Sequence, residues 1–161
     1  MKETEFVRRY GGIYENSPWV AEKAAPLIDG SADIDVIARV MVDCVDNASR
    51  ERQLALIRAH PDLVGKAAVA DALTDDSKSE QASAGLDQCT PDEYQRFQAL
   101  NSAYRRKFGF PFVMAVRNCS RAQILAAFES RLENDHDEEF ENALFEIHKI
   151  ARLRLVALGA N

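Results

Sequence analysis

The sequence predicts an all-α fold: a single compact, bundle-like domain of about seven or more helices with two long pocket-forming loops. Three observations predict it. Apolar residues recur at spacings of three and four along most of the chain. Residues that favour helix N-caps stand ahead of those runs. Only Val113 to Val116 has strand character, and it is too short to found a sheet. At 161 residues the chain is long enough to bury a proper core. No repeat, low-complexity tract or linker divides residues 1–161.

The elements follow in order. A short amphipathic opening around Phe6 to Tyr10 ends at Gly11-Gly12. Ser17-Pro18 reads as an N-cap followed by proline at the first helical position, opening a helix through Trp19, Val20 and Ala24 that Pro26 interrupts. From Asp33, the residues Ile34, Ile37, Val40, Met41, Cys44 and Val45 mark a helix with one buried face. Ser49 caps the next helix, which carries Leu54 and Ile57 toward His60-Pro61. A loop over 60–74 precedes Ser77-Lys78-Ser79-Glu80-Gln81, and Thr90-Pro91-Asp92-Glu93 opens a longer helix through Phe97, Leu100 and Tyr104. The second loop, 108–116, breaks that helix. Ser120 caps a helix through Ile124, Ala127, Phe128 and Leu132, Asn134 to Asp137 is a polar turn, and a last helix runs from about Glu138 to Leu158.

Composition excludes several function classes. The hydrophobic fraction of 47% and charged fraction of 29% are those of a soluble globular protein. A formal charge of −6 without a clustered basic patch argues against nucleic acid or an anionic membrane as partner. No apolar run is long enough to span a bilayer, and neither a signal peptide nor a peroxisomal tripeptide is present, so a cytoplasmic protein is expected. Cys44, Cys89 and Cys119, odd in number and widely spaced, read as reduced thiols.

Four features carry chemistry, each with a structural alternative. Proline disfavours the α region for the residue before it, so His60 should close its helix and project from a corner into a loop. The helix C-terminus behind it and a nearby carboxylate would favour imidazolium. Ser77-x-x-Glu80 reads as a capping box, and Glu80 beside Gln81 also as a carboxylate and amide at a helix start, where the dipole and free N–H groups welcome an anionic ligand. Phe108, Phe110 and Phe112 alternate with Gly109 and Pro111, either as plain core or as flat surfaces beside irregular backbone where a planar heterocycle could stack. In the last helix, steps of about 100° put Arg154 on the apolar face of Phe140, Leu144, Ile147, Ile150, Ala151 and Leu158, while Arg152 points to solvent. A buried arginine needs a partner, so Arg154 is either in a structural ion pair or lines a pocket as a fork for oxygens. His60, Asp62, Glu80, His136 and His148 match no ligand spacing, so no metal is expected.

Three segments go beyond composition: His60-Pro61-Asp62-Leu63, Ser77-x-x-Glu80-Gln81-x-x-Ala84-Gly85-Leu86 and Asn101-x-x-Tyr104-x-x-Lys107-Phe108-Gly109-Phe110-Pro111-Phe112. With Ile150-Ala151-Arg152-Leu153-Arg154-Leu155, the chain resembles the OHCU decarboxylase family over nearly its whole length. That resemblance implies a cofactor-free decarboxylase, usually a homodimer, acting on a small molecule, 2-oxo-4-hydroxy-4-carboxy-5-ureidoimidazoline, to give (S)-allantoin. It implies His60 and Glu80 as the catalytic pair. It also implies ligand-holding roles for Pro61, Ser77, Gln81, Arg154 and the backbone of Phe112, Val113, Met114, Ala115 and Val116. The alternative is a non-catalytic helical binding or interaction domain on the same scaffold.

Overall fold

A computed structural model describes residues 2–29, 32–65 and 72–159. Among them are eight α-helices, two 3₁₀ turns and no strand, so the all-α expectation holds. In chain order these are α1 (Glu3–Tyr10), α2 (Trp19–Ala24), a 3₁₀ turn (Ala25–Leu27), α3 (Ile34–Asp46), α4 (Arg50–Arg58), α5 (Asp75–Ser83), a second 3₁₀ turn (Leu86–Gln88), α6 (Pro91–Phe108), α7 (Arg121–Arg131) and α8 (His136–Gly159). None of the described helices is long and apolar enough to cross a membrane.

The chain divides into two compact units, Met1–His60 with Ile147–Asn161, and Pro61–Glu146. In the first unit α1 packs on α2 and its 3₁₀ continuation, and α2 packs on α3. Phe6, Val20, Ala24, Ile37, Met41, Val45, Leu56 and Ile57 are buried there, as the three-and-four spacing requires. Asp33 and Ser49 cap α3 and α4, accepting from the backbone N–H of Val36 and Arg52. Ser17 does not cap α2. Its hydroxyl donates to the Glu15 carbonyl at 2.9 Å, and Pro18 stands at the cap in α-region backbone.

In the second unit, Thr90 with Glu93 and Ser120 with Gln123 form reciprocal capping boxes at α6 and α7. α6 ends on Gly109, whose φ of 79° is the left-handed conformation that glycine adopts without a Cβ clash. α5 starts earlier than the capping-box reading of Ser77 requires. Thr74 is its N-cap and accepts from the Ser77 N–H at 3.2 Å. Asp75 and Asp76 then fill the first turn, where the helix dipole favours acids. α8 likewise begins before Glu138, because the Asp135 carboxylate accepts from the Glu138 N–H at 2.8 Å. Residues 66–71 of the first predicted loop lie outside the described residues.

Candidate active site

The predicted site residues divide between the units: His60 and Arg154 in the first, Pro61, Ser77, Glu80, Gln81 and residues 112–116 in the second. His60 follows directly on the C-cap of α4 at Ala59, and its own N–H reaches the Ile57 carbonyl at 3.1 Å. The side chain is buried, 6% exposed. Nδ1 lies 3.0 Å from the Leu56 carbonyl oxygen. A carbonyl only accepts, so Nδ1 carries the hydrogen and the basic lone pair is on Nε2. Burial lowers the His60 pKa to about 4, against the opposing pull of the Leu56 carbonyl and the Glu15 carboxylate, and the Arg154 guanidinium lowers it further. The imidazolium expected from the sequence is therefore corrected. The helix end acts in the expected direction, but desolvation outweighs it, and His60 is a neutral base at pH 7.

Arg154 is buried on the apolar face of α8, as helical phase predicts, and Arg152 is exposed. Its Nη2 meets Glu15 Oε2 at 2.7 Å, with both side chains almost wholly buried. Nη1 faces the carbonyls of Gly12 and Ile13 at 3.3 and 3.5 Å. Glu15 is a residue that sequence reasoning missed. A buried arginine demands a carboxylate, but nothing local selects this one among 26 acidic residues, because the pair is 139 residues apart.

In the second unit the stretch after Pro61 is held by side-chain amides. Gln81 accepts from the Val64 N–H at 3.0 Å and donates to the Asp62 carbonyl at 3.3 Å. Asn101 donates to the Leu63 carbonyl at 2.9 Å and Gln98 to the Val64 carbonyl at 2.5 Å. Arg105 grips the Asp62 carboxylate with Nε, at 3.1 and 3.3 Å. The ties hold Val64 at φ 52°, a left-handed conformation that a β-branched residue adopts only under strain, of order ~1–3 kcal/mol. Gly65 closes the turn so tightly that a Cβ there would fall 2.6 Å from the Asp62 Cβ. Ser77, Glu80 and Gln81 lie on α5 at offsets of three and four and so share one face. Ser77 and Gln81 are buried and Glu80 is half-buried.

In the second loop the plain-core alternative holds. Phe108, Phe110 and Phe112 are all buried, so they are core and not an open stacking surface. Phe112 stacks on Phe128 at 3.9 Å and 10°, and both meet Tyr104 edge-on. Arg131 lies over the Phe112 ring and donates to the Val113 carbonyl at 2.6 Å. Ala115 N–H donates to the Glu146 carboxylate at 3.1 Å, Val116 accepts from the Cys119 N–H, and Met114 and Ala115 are half-buried. These contacts hold the loop's backbone in place. Among the described residues no three His, Cys, Asp or Glu side chains are grouped to hold a metal.

The family model for OHCU decarboxylase matches residues 1–156. The chain belongs to that family. It is 46% identical over 155 residues to the 2-oxo-4-hydroxy-4-carboxy-5-ureidoimidazoline decarboxylase of Haloferax volcanii, covering 96% of this chain and 89% of the relative. The enzyme of the same name from Halalkalicoccus jeotgali is 46% identical over 153 residues, with 95% and 84% covered. The crystal structure of an (S)-allantoin synthase superposes with a TM-score of 0.75 at 34% identity, over 98% of this chain and 51% of the other. OHCU decarboxylase membership is thus seen in sequence and in fold.

Proposed function

We propose that this chain decarboxylates 2-oxo-4-hydroxy-4-carboxy-5-ureidoimidazoline to (S)-allantoin and CO2 in uric acid degradation. The observation that carries the reading is the buried His60, fixed through Nδ1 on the Leu56 carbonyl so that a neutral base is offered at Nε2, in a chain of this family. When the carboxylate leaves as CO2, its bonding pair needs a sink. The adjacent ring C=N takes it, so pyridoxal or thiamine chemistry is not required. The ring nitrogen takes a proton with that pair, leaving a hydroxy-ene intermediate. His60 Nε2 then accepts the hydroxyl proton as the C–O bond becomes a carbonyl, and the ene pair takes a proton at the ureido-bearing carbon on one face. A positioned base or acid of this kind contributes about 10²–10⁴-fold.

In this reading Glu80 shares the proton traffic with His60. Arg154 binds substrate oxygens, and Pro61, Ser77, Gln81 and the backbone of residues 112–116 hold the ring and ureido group. Gln81 has a second role supported by its contacts, since its amide already braces Asp62 and Val64. The whole of 1–161 acts as one decarboxylase domain, without cofactor, as a cytoplasmic homodimer. Exposed Phe145, Leu153 and Val156 on α8 supply apolar surface for self-association.

The test is circular dichroism on freshly generated substrate. The wild-type chain should enrich (S)-allantoin over the spontaneous racemic background, and His60→Asn should lose at least about 100-fold in rate with its helical spectrum unchanged. Glu80→Gln should keep stability and lose activity. Racemic product from the wild-type chain at the spontaneous rate would overturn the reading.

A further inference from the structure

We propose that Glu15 is a positioning residue for the decarboxylation: its ion pair with Arg154 fixes the guanidinium that holds the substrate's oxygens. The inference rests on the decarboxylase reading and on Arg154 as a substrate-holding residue, and goes one residue beyond both.

An arginine side chain has many rotamers and a planar fork of five N–H donors, so a substrate oxygen is bound well only where the fork is held in one orientation. Here it is held at both ends by one stretch of chain. Glu15 Oε2 meets Nη2 at 2.7 Å, and the Gly12 and Ile13 carbonyls face Nη1. The Glu15 and Arg154 side chains are 1% and 5% exposed, which keeps the pair from being screened by water.

The same stretch is tied to the catalytic corner. Asn16, left-handed at φ 47°, donates from Nδ2 to the carbonyl of Ala59 at 3.4 Å, the residue before His60. Ser17 Oγ donates to the Glu15 carbonyl and fixes that residue's backbone. Residues 12–17 therefore connect the guanidinium to the helix end that carries the base, all within the first unit. The charges of Glu15 and Arg154 both act on the His60 ring, in opposite directions. An ion pair serving stability alone would need none of these links to His60.

The experiment is steady-state kinetics by circular dichroism, with a thermal melt of each protein, on wild type, Glu15→Asp, Glu15→Gln, Arg154→Gln and the double variant Glu15→Gln/Arg154→Gln. Glu15→Asp keeps the charge and withdraws it by one methylene. It should stay folded and raise KM about tenfold, with kcat within roughly threefold of wild type. Glu15→Gln should raise KM by about 10- to 100-fold, and the double variant should be no worse than Arg154→Gln alone, because Glu15 acts through Arg154. If Glu15→Gln does not fold, Glu15→Asp decides. Lowered melting temperatures with wild-type KM in both folded Glu15 variants would overturn the proposal, as would a KM effect that adds in full to that of Arg154→Gln. If Arg154→Gln itself leaves KM unchanged, the role given to Arg154 falls, and with it Glu15. That outcome is distinct from one in which Arg154→Gln raises KM and the Glu15 variants do not.

Discussion

Two buried arginine–carboxylate pairs use the same chemistry in different surroundings. Arg154 meets Glu15 at 2.7 Å and Arg131 meets Glu139 at 2.8 Å, each with a carboxylate almost wholly out of water. Around Glu139 the polar groups form a closed network. Its oxygens accept from Arg131, from Tyr104 at 2.5 Å, and from Asn134 and Asn142 at 2.9 and 2.7 Å. Burial raises its pKa, but those donors and the Arg131 charge outweigh burial and hold the carboxyl below its usual range. Through the second arm of Arg131 the network locks the Val113 carbonyl, and so part of the second loop's backbone. Around Arg154 the neighbour that matters is a titratable base. On the proposed reading the Arg154 pair serves the site because its charges act on His60, whereas the Arg131 pair serves the scaffold because its partners are other polar groups of the fold.

Glu139→Gln should produce the largest change in stability. It leaves the nearly buried Arg131 opposite a neutral amide and also disturbs Tyr104, Asn134 and Asn142. Removing one member of such a pair typically costs about 3–5 kcal/mol. Denaturant unfolding should read that loss, and any rise in the KM of the folded fraction should be smaller than that of Glu15→Asp, since Arg131 keeps its own bond to the Val113 carbonyl. The contrast with Glu15 would dissolve if Glu139→Gln raised KM as Glu15→Asp does.

A pH titration of stability sharpens the comparison from the other side. His60 has a folded-state pKa of about 4 against an ordinary value near 6.5. Between those values the unfolded chain binds a proton that the folded chain refuses. Stability should therefore fall as pH drops through that window, by about 3 kcal/mol in total from this residue, and level off for it below about pH 4. His148, half-buried and lowered in the same direction despite Asp46, adds to the slope with the same sign. Glu139 acts later: its contribution is present above the ordinary carboxylate range and is lost as pH falls below it. The stability difference between wild type and His60→Asn should thus shrink from pH 7 to pH 4. A difference that stays constant across the window would contradict burial of a neutral His60.

How much of this was legible follows the range of the interactions. Caps at Ser49, Thr90 and Ser120 each involve residues three apart, and there a cap in sequence became a cap in structure. Helical phase separated Arg154 from Arg152 for the same reason. Ser77, read as a cap, lies instead inside the helix that Thr74 caps, with Asp75 and Asp76 in its first turn, and so stands on a buried face. Glu15 was not legible, since it sits in a turn with no periodicity and its partner is at the far end of the chain. The amide ties of Gln81, Gln98 and Asn101 were hidden likewise: side-chain to backbone bonds across 17 to 38 residues leave no local pattern. Family membership, carried by motif order, supplied what local physics did not.

The smallest effect belongs to the arginine that helical phase sent outward. Arg152 contacts the Asp35 carboxylate with side chains 47% and 74% exposed, so the pair is close in geometry but well solvated. Holding two flexible side chains together in water gains little, and salt screens what is gained. Arg152→Ala should lower stability by about 0.2–1 kcal/mol, a difference that shrinks further in molar salt and leaves KM and kcat unchanged. Arg152 stands two residues from Arg154 on one helix, and each contacts a carboxylate far away in sequence. What differs is water. If Arg152→Ala cost as much as Glu139→Gln, burial would not be what separates the three pairs.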